Sequence, residues 1–575
     1  MRASPTLRTV ALLSTVVLLG IAPGAQAQSK AGFLTPQSSM VMPAAPGVTA
    51  TPIITVGETL AGGYRFESIP DGISISPRGN GRIDVYVNHE TSTVPFPYTP
   101  GAPTESNSQN DFDNAQVSRL ILNQRSGGVL QGALVIRSAE NFQRFCSNYL
   151  ATGKEGFDRS ILLTGEEAID WVNRDGKAWP ATIGADEARQ AGVVVAYDVR
   201  TGKRTPIWGM GRYNHENSVA IPGYDDLVVL STDDTFVSNP VQSQLYTYIV
   251  GASDQANDKD GSRALLKDEG DLWAFVSDTP GFDDYYDFSI GSTASITGHF
   301  VKVPKNIATG RNPDGTDIMA EDVGYPEPPN DGTWQRDPNG QGIDGPQWVL
   351  EHWGDLNGVF QFVRLEDIAY DKRPGMGNVV YIADTGRGAT SAGGNPFTSS
   401  NGRIWRMVLD PADPTKVTSL SILIEGDDNP VKTLTEIHQP DNVETTPNSL
   451  LIQEDPGSSQ QFPVGSTDPN ATTARIWKYD LATGTMTVVA KVDQSADEGP
   501  TDVDSAPAGN LGAWESSGIV DASSVFGPGA FLVTVQAGTL WVEKAPGDDN
   551  VAPAGPDFTY KRSGGQLVLL RIAGA

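Results

Sequence analysis

The sequence predicts an all-β fold, a β-propeller of six blades with long inserted loops. The chain of 575 residues contains 62 glycines and 40 prolines, residue types that interrupt helices. Its apolar residues show hardly any helical periodicity. They form short runs of the kind that a strand buried on both faces requires, as at Leu162 and Val228. These runs recur in one plan along the chain, which is typical of propellers.

The first element of this plan is a buried strand that ends in acidic residues. Five copies keep the acid, and a sixth replaces it with an amide. The copies are Ile83–Glu90, Ile161–Glu167, Leu227–Asp234, Val379–Asp384, Leu450–Asp455 and Phe531–Gln536.

The second element is a hairpin built around the pattern Asp-x-x-Thr-Gly. It is nearly the same in Val193–Gly202 and Ile476–Gly484, where the glycine supplies the positive φ that a hairpin loop needs. Looser copies occur at Val117–Gly128 and Ile404–Asp410. We expect these hairpins to form the outer strands of blades.

A third element precedes several acid-ended strands and carries an acid of its own. Its copies are Asn214–Ser218, Arg364–Ala369, Gln439–Val443 and Trp514–Gly518. The separation from Glu216 to Asp233 fits a strand, a turn and a returning strand. We therefore expect the acid that opens one strand and the acid that closes its neighbour to lie at the same end of a blade. Blades stacked around a channel would then gather carboxylates at one mouth.

Acidic residues at strand ends are also common turn residues on a solvated rim. Their joint occurrence favours a shared site, since some come in pairs such as Glu166-Glu167 and Asp233-Asp234. Like charges that converge on one opening repel unless a cation neutralises them. Carboxylate oxygens suit Ca²⁺, whereas the sequence has no cluster of Cys and His suited to Zn²⁺. The sequence therefore predicts a calcium site.

The N-terminus has the pattern of an export signal. Arg2 and Arg8 precede an apolar run from Val10 to Ile21, and a small-residue cleavage site ends at Ala27. The run is short for a membrane span, so we expect a protein that is secreted or periplasmic and carries no membrane anchor. An N-terminal anchor that is never cleaved is the alternative.

The predicted organisation is a single folded domain behind this signal. Its parts are a signal peptide at 1–27, an N-terminal extension at 28–53, and one propeller domain at 54–575 with a loop-rich insertion at about 251–345. The formal net charge of −29 argues against binding to nucleic acid or to an anionic membrane, because both need clustered cations.

The order of the motifs resembles that of PhoX-type alkaline phosphatases and their relatives. The matching motifs are V-N-H-E near residue 88, T-G-E-E near 164, G-R-Y-N-H-E near 211, T-D-D near 232, F-V-R-L-E-D near 362, P-D-N near 440, Q-E-D near 453 and E-S-S-G-I-V-D near 515. The resemblance implies an exported bacterial propeller whose channel mouth holds iron and calcium ions and hydrolyses phosphomonoesters. We accordingly expect a small phosphorylated substrate and a monomeric protein.

The resemblance also implies a set of metal ligands, carried over by position. The leading ligands are Glu167, Glu216 and Glu366. The other members of the predicted set are Asp234, Asp384, Asp441, Glu454 and Glu90.

One departure concerns the iron ligand of the family. The strand that corresponds to Thr164–Glu167 carries in the family a cysteine before the two acids, and its thiolate binds iron. Here that position is Gly165, and Cys146 lies too far upstream to replace it by a shift of register. We interpret Cys146 as a buried inert thiol, with a ligand brought round by a loop as the alternative. Without a thiolate, Ca²⁺ or Mg²⁺ is favoured over Fe³⁺.

Three further residues are predicted to act on the substrate. His215, like His89, lies in an Asn-His-Glu setting that suits an acid facing a phosphate, although a structural role is the alternative. Arg212 and Arg364 lie close to predicted ligands, where a guanidinium can hold two phosphoryl oxygens.

The leading hypothesis is metal-assisted hydrolysis of phosphomonoesters, which needs no protein nucleophile. Six-bladed lactonases of the gluconolactonase and paraoxonase type also hold Ca²⁺ in a channel, so a calcium-dependent lactonase is a second reading. A third is a non-catalytic propeller whose calcium is structural and whose loops bind a ligand or an envelope partner.

Overall fold

The computed structural model describes most of the chain. The described residues are 31–91, 114–173, 188–237, 240–252, 261–336, 340–386, 401–427, 433–456, 462, 467–495, 511–537, 541–543, 558–561 and 564–575. The predicted signal peptide and its cleavage site lie outside them, as do residues 253–260 and 337–339 of the predicted insertion.

The described chain consists mainly of strands. The first are β1 (Val41–Pro43), β2 (Val48–Thr55), β3 (Pro70–Gly79), β4 (Arg82–His89), β5 (Gln116–Asn123) and β6 (Val129–Ile136). They are followed by β7 (Phe145–Ala151), β8 (Ile161–Glu166), β9 (Trp171–Asn173), β10 (Ala188–Gln190), β11 (Val194–Asp198) and β12 (Arg204–Ile207). The middle of the chain forms β13 (His215–Ile221), β14 (Leu227–Asp233), β15 (Leu245–Val250), β16 (Asp271–Ser277) and β17 (Ser295–Lys302).

The second half continues in the same way. Its strands begin with β18 (Leu365–Tyr370), β19 (Val379–Asp384), β20 (Arg403–Asp410), β21 (Asp413–Glu425), β22 (Pro440–Thr445) and β23 (Ser449–Glu454). The last are β24 (Arg475–Asp480), β25 (Met486–Val492), β26 (Trp514–Asp521), β27 (Ala530–Ala537), β28 (Trp541–Glu543), β29 (Phe558–Lys561) and β30 (Gly564–Ile572).

The described helices are short. They are α1 (Gly261–Leu266), α2 (Lys305–Thr309), α3 (Ala320–Val323), α4 (Pro346–Leu356) and α5 (Ser523–Phe526), with 3₁₀ turns at Ser138–Glu140, Gly153–Glu155, Trp208–Met210 and Tyr285–Asp287. Within the described ranges, none of them has the length and apolarity of a membrane-spanning helix.

The strands pair antiparallel in successive groups of four. The groups are β3-β4-β5-β6, β7-β8-β11-β12, β13-β14-β15-β16, β18-β19-β20-β21, β22-β23-β24-β25 and β26-β27-β30-β2. Strand β17 bridges the third and fourth groups into one sheet, and β1 adds an edge to β25. Two further hairpin pairs are β9 with β10 and β28 with β29. The prediction of an all-β fold with a propeller-like arrangement of small sheets is confirmed.

The first strand of each group lies against the first strand of the next. Strand β3 contacts β7, β7 contacts β13, β13 contacts β18, β18 contacts β22, β22 contacts β26, and β26 contacts β3. Strands β8 and β14 are buried along their whole length, as the apolar runs in their sequences require. The six first strands therefore surround a common axis, and the side chains that project from their ends meet at this axis.

The N-terminal boundary differs from the predicted one. Strand β2 pairs with β30, so residues 48–55 supply the outer strand of the last group, and β1 lies on β25. The predicted extension at 28–53 thus contributes to two sheets, because the last group has only three strands of its own after residue 500 that join it. The predicted insertion contains β16, a full member of the third group, together with β17 and helices α1 to α3.

Candidate metal centre

The first strands of the first five groups share one irregularity. In each, the opening residue pairs with the last residue of the second strand, and the register then shifts before regular pairing resumes. Such a β-bulge turns a side chain away from the regular alternation of a strand. The residues that directly follow the opening pair are Asp71, Cys146, Glu216, Glu366 and Asp441.

The sixth group has a carboxylate at the corresponding place. Trp514 pairs with Ala537, and Glu515 follows it, although the bulge in β26 lies later, between Ser517 and Ile519. Six first strands thus present five carboxylates and one thiol near one end of the shared axis.

A second set of side chains comes from the residues that follow the second strands. A backbone N–H in each of five groups donates to the carbonyl of the residue that precedes the first strand. The bonds are Glu90 to Ile69 at 3.1 Å, Glu167 to Arg144 at 3.0 Å, Asp234 to Asn214 at 3.0 Å, Thr385 to Arg364 at 2.9 Å and Asp455 to Gln439 at 2.9 Å. This repeated bond places an acid beside the residue that follows the opening pair in four of the five groups, and in the second group that residue is Cys146.

Three of these accepting residues have a strained backbone. Ile69, Arg144 and Gln439 adopt positive φ values of 46°, 33° and 55°, although none is a glycine. For a β-branched residue such as Ile69 this conformation is a genuine outlier. Strain of this kind persists where the surroundings enforce it and concentrates at functional sites.

The two sets of side chains form four overlapping groups of potential metal ligands. The groups are Asp71, Glu90 and Cys146; Cys146, Glu167 and Glu216; Glu216, Glu366 and Asp441; and Asp441, Asp455 and Glu515. Within each group the ligand atoms lie within 4.8 Å of one another. Cys146, Glu216 and Asp441 each belong to two groups, so the four are joined into one continuous arc.

The expectation that no thiol reaches the site is wrong. Cys146 is buried, and its Sγ donates to Asp71 Oδ2 at 2.7 Å within ligand distance of Glu167 and Glu216. Its place on β7 equals that of Glu216 on β13, so no loop is needed to bring it there. Gly165, where the thiol was sought, has no room for a side chain, because a Cβ there would lie 2.4 Å from His215 Cβ.

Burial and mutual repulsion raise the pKa values across the arc. The pKa values of Glu167, Glu216, Glu366, Asp441 and Glu515 all lie well above the usual range, first because burial penalises the charged form and then because neighbouring carboxylates repel it. Burial raises the pKa of Glu90 to about 7, and Asp71 adds to the rise. Burial, followed by repulsion from the neighbouring carboxylates, also raises the pKa of the Cys146 thiol well above its usual value. A bound cation would reverse this balance.

Two carboxylate oxygens in the arc have no hydrogen-bond partner within the described residues. They are Glu216 Oε2 and Asp441 Oδ1, both buried. Leaving a buried carboxylate oxygen unsatisfied costs free energy, so both oxygens are suited to binding a cation. Glu216, Glu366 and Asp441 together offer an all-oxygen donor set that fits Ca²⁺. The set that contains Cys146 fits a softer metal.

Two arginines stand beside the arc at equivalent places, each just before a first strand. Arg364 donates from Nε to Asp234 Oδ1 at 2.9 Å and from Nη2 to Asp234 Oδ2 at 2.8 Å, and it lies 2.7 Å from Glu366 Oε1. Arg144 Nη1 lies 3.9 Å from Glu167 Oε1. Asp234 is therefore tied to Arg364 and stands outside the four ligand groups.

Asp384 and Glu454 do not join the arc. Asp384 accepts the backbone N–H groups of Arg364 and Gly386 and the indole N–H of Trp405. Glu454 accepts Arg475 Nε and Nη2 and Trp477 Nε1, each at 2.8 Å. Both are the last residues of second strands, and alternation along a strand turns them into the blade while the next residue faces the axis. Their role is to anchor the loops that enter the blades.

Arg212 and His215 also lie away from the arc. Arg212 is fully buried, donates to the carbonyls of Gln190 and Ala191, and stacks on Trp208. The predicted phosphate clamp therefore cannot include it, because Nη2 is directed at these carbonyls and Nη1 faces the buried carboxylate of Asp317.

The ring of His215 packs beside Gly165 and lies 3.7 Å from the ring of Tyr213, centroid to centroid. Its Nε2 lies 3.1 Å from the Gly211 carbonyl, and burial lowers its pKa to about 3. Residue 215 opens β13, so its side chain points into the blade and that of Glu216 points to the axis.

Sequence reasoning missed several members of the site. They are Asp71, Cys146, Asp455, Glu515 and Arg144. The signal for most of them was present: Pro70-Asp71-Gly72 and Phe145-Cys146-Ser147 each precede an acid-ended strand, as Pro440-Asp441-Asn442 does. Aligning by place in the blade would have found the cysteine that aligning by the T-G-E-E motif did not.

The solved structures to which the chain is similar include distant likenesses. An acylaminoacyl peptidase from Pyrococcus horikoshii matches with 7% identity and a TM-score of 0.27, and a complex of an acylaminoacyl peptidase with a chloromethyl ketone matches with 6% and 0.27. These matches cover 82% and 81% of this chain, which spans half the length of each peptidase chain. Drosophila Semaphorin 1a matches with 10% identity and a TM-score of 0.19 over 70% of this chain and 85% of its own.

The sequence comparison is decisive. No curated protein matches the chain. The family model of alkaline phosphatase PhoX matches residues 135–498, well over half of the chain and a span that includes Cys146, Glu167, Glu216, Glu366 and Asp441. The predicted resemblance is thereby confirmed, and the chain belongs to the PhoX alkaline phosphatase family.

Proposed function

We propose that the protein is a metal-dependent phosphatase that hydrolyses phosphomonoesters at the mouth of the channel, where the arc of acids lies. The observation that carries this proposal is the convergence of carboxylates and a thiol from six successive groups of strands, with two buried carboxylate oxygens that have no hydrogen-bond partner among the described residues. Membership of a phosphatase family supports the same chemistry.

We propose different ions for different parts of the arc, on the chemistry of their donor sets. Glu216, Glu366 and Asp441 would hold Ca²⁺ through carboxylate oxygens. Cys146, Glu167 and Glu216 would hold a transition metal such as iron, which accepts a thiolate. When bound, such ions neutralise phosphoryl oxygens and make a coordinated water more acidic. Glu216 would be shared by both sets.

The arginines supply the positive charge that the chain itself brings to the substrate. Arg144 and Arg364 lie at equivalent places beside the arc. Arg144 is paired with Glu167 of its own group, and Arg364 is paired with Glu366 of its own group and with Asp234 of the preceding one. A guanidinium fixed in this way can bind phosphoryl oxygens in a defined orientation. We propose for Arg144 the role that was predicted from the sequence for Arg212, the binding of phosphoryl oxygens.

The remaining features of the proposal concern shape and location. Six successive groups with touching first strands support a six-bladed propeller, closed by the pairing of β2 with β30. The export pattern at residues 1–27 supports secretion or a periplasmic location. We further propose that the protein acts as a monomer.

A direct test is the hydrolysis of p-nitrophenyl phosphate by the purified chain. We expect turnover that stops on exhaustive chelation and returns when Ca²⁺ and iron are added back. Glu321→Gln, at an exposed glutamate on α3, serves as the control and should leave turnover unchanged. Turnover that persists at the same rate after chelation would refute a metal-dependent site.

Two other outcomes point elsewhere. Cleavage of a lactone panel in the absence of phosphoester cleavage would favour the lactonase reading. A rise in melting temperature with Ca²⁺ and no turnover of either substrate would favour a structural calcium site, since a ligand that binds only the folded state stabilises it.

A further inference from the structure

Asp367 lies one layer beneath the arc, on β18, and contacts the two neighbouring first strands, β13 and β22. It follows Glu366 on β18 and is 5% exposed. Its Oδ1 accepts Asn217 Nδ2 at 2.5 Å and the backbone N–H of Ile368 at 2.6 Å, and its Oδ2 accepts the backbone N–H of Val443 at 2.9 Å. One carboxylate therefore links β13, β18 and β22.

These three strands carry the three members of the all-oxygen ligand group. Asn217 directly follows Glu216, and Val443 comes two residues after Asp441. Each bond to Asp367 thus comes from a residue one or two positions after a proposed calcium ligand. The distance between adjacent ligands depends on the spacing of their strands, which Asp367 bridges in both directions.

The bulges explain why a side chain is needed at this layer. A bulge interrupts the ladder, which leaves local backbone N–H groups to find other acceptors. In β13 the N–H of Ser218 donates to Asn217 Oδ1 at 2.7 Å, so the freed N–H finds its acceptor within the same strand. In β22 the N–H of Val443 turns to Asp367 of the neighbouring group, and Asn442 Oδ1 is left without a partner in the described part of the chain. The bridge from β18 therefore takes the place of a local bond in β22.

We propose that Asp367 is a positioning residue that sets the spacing of Glu216, Glu366 and Asp441 for calcium. This inference rests on the proposed calcium site and adds a residue that touches neither the ion nor the substrate. Groups that orient metal ligands through hydrogen bonds commonly change affinity about 10–100-fold when they are removed.

The test is the affinity of the chelator-treated chain for Ca²⁺, measured by titration calorimetry. Asp367→Asn keeps the size of the side chain but turns one acceptor into a donor, which then faces another N–H. We expect Ca²⁺ to bind at least tenfold more weakly to the folded variant. The exchanged pair Asn217→Asp with Asp367→Asn restores an oppositely directed bond and should recover part of the affinity.

Asp371→Asn is the matched control. Asp371 is buried next to the other end of β18 and accepts bonds from Arg373 and Tyr381 within its own blade. A role limited to stability predicts equal effects of the two substitutions, whereas positioning predicts an affinity within twofold of wild type for Asp371→Asn. Equal losses, or an unchanged affinity of Asp367→Asn, would overturn the proposal.

A third variant covers failure of Asp367→Asn to fold. Asn217→Ala removes the bond to Asp367 together with the bond that Asn217 Oδ1 accepts from the Ser218 N–H, and it leaves Asp367 in place. It should weaken Ca²⁺ binding by a few-fold, and an unchanged affinity would count against the proposal. Binding of Ca²⁺ is measured without a phosphoester, so the test does not depend on phosphatase activity. If the wild-type protein showed no phosphatase activity and Asp367→Asn still bound Ca²⁺ more weakly, the role of Asp367 would be supported and only the proposed function would be refuted.

Discussion

Glu216→Gln is expected to lower kcat/KM for p-nitrophenyl phosphate by at least about 10²-fold, because Glu216 belongs to both central ligand groups. The amide keeps the volume of the side chain and can still accept the bond from Ser147 Oγ. What it removes is one negative charge from the place where two proposed cations share a ligand. Steady-state kinetics on the folded variant measure the effect.

Glu454→Gln is the control for Glu216→Gln, because it removes the charge of a buried glutamate that is not a proposed metal ligand. Glu454 is fully buried and paired with Arg475, so its replacement should cost about 3 kcal/mol of stability and leave the kcat/KM of the folded protein near wild type. Glu216→Gln should instead stabilise the metal-free protein at neutral pH, because the amide is neutral without taking up a proton, whereas the buried carboxyl must either bind a proton or keep an unfavourable charge. Wild-type kcat/KM in Glu216→Gln would remove Glu216 from the active site.

The metal-free protein is expected to lose stability as the pH rises from 5 to 8, while the Ca²⁺-loaded protein loses less. Burial, followed by repulsion between neighbours, raises the pKa values of Glu216, Glu366 and Asp441 in the folded chain. At a pH above 4.5 the folded state therefore holds protons that the unfolded state has released. The free energy of unfolding then falls with pH by about 1.4 kcal/mol per unit for each such proton.

Bound Ca²⁺ favours the charged carboxylates and cancels this dependence at the site. Other buried acids, such as Asp384 with a pKa raised to about 7, affect both forms equally and drop out of the difference. Urea unfolding at several pH values, with and without Ca²⁺, gives the two curves. Parallel curves would show that the carboxylates of the arc do not bind the ion.

The repeated plan in the sequence was sufficient to predict an all-β, propeller-like fold with acids gathered at one end, and the resemblance to the PhoX family supplied the individual ligands. Glu90, Glu167, Glu216, Glu366 and Asp441 were predicted as ligands, and the structure brings all five into the ligand groups. Their residue type, their recurrence and their place before or after apolar runs are visible without coordinates.

Two kinds of error affected the predicted ligands. Some predicted residues lie one position away from the residue that faces the axis, and others were missed because a β-bulge changes which side chain faces it. At Glu454-Asp455 the second acid, and not the first, faces the axis, as it also does at Glu166-Glu167. A shift of one residue reverses the face of a strand, and a run of residues does not reveal where the bulge falls. Cys146 was missed because its place was sought in the second strand, at Gly165, whereas the bulge in the first strand presents it.

The central claim is that acids and a thiol from distant strands share cations at one mouth of the channel. Elemental analysis of the purified protein, counting calcium and iron per chain, tests it most directly. We predict that the wild-type chain holds more than one metal ion, that Cys146→Ala loses the iron and keeps calcium, and that Glu216→Gln loses part of both. A wild-type chain without bound metal, or the same metal content in all three proteins, would contradict the account.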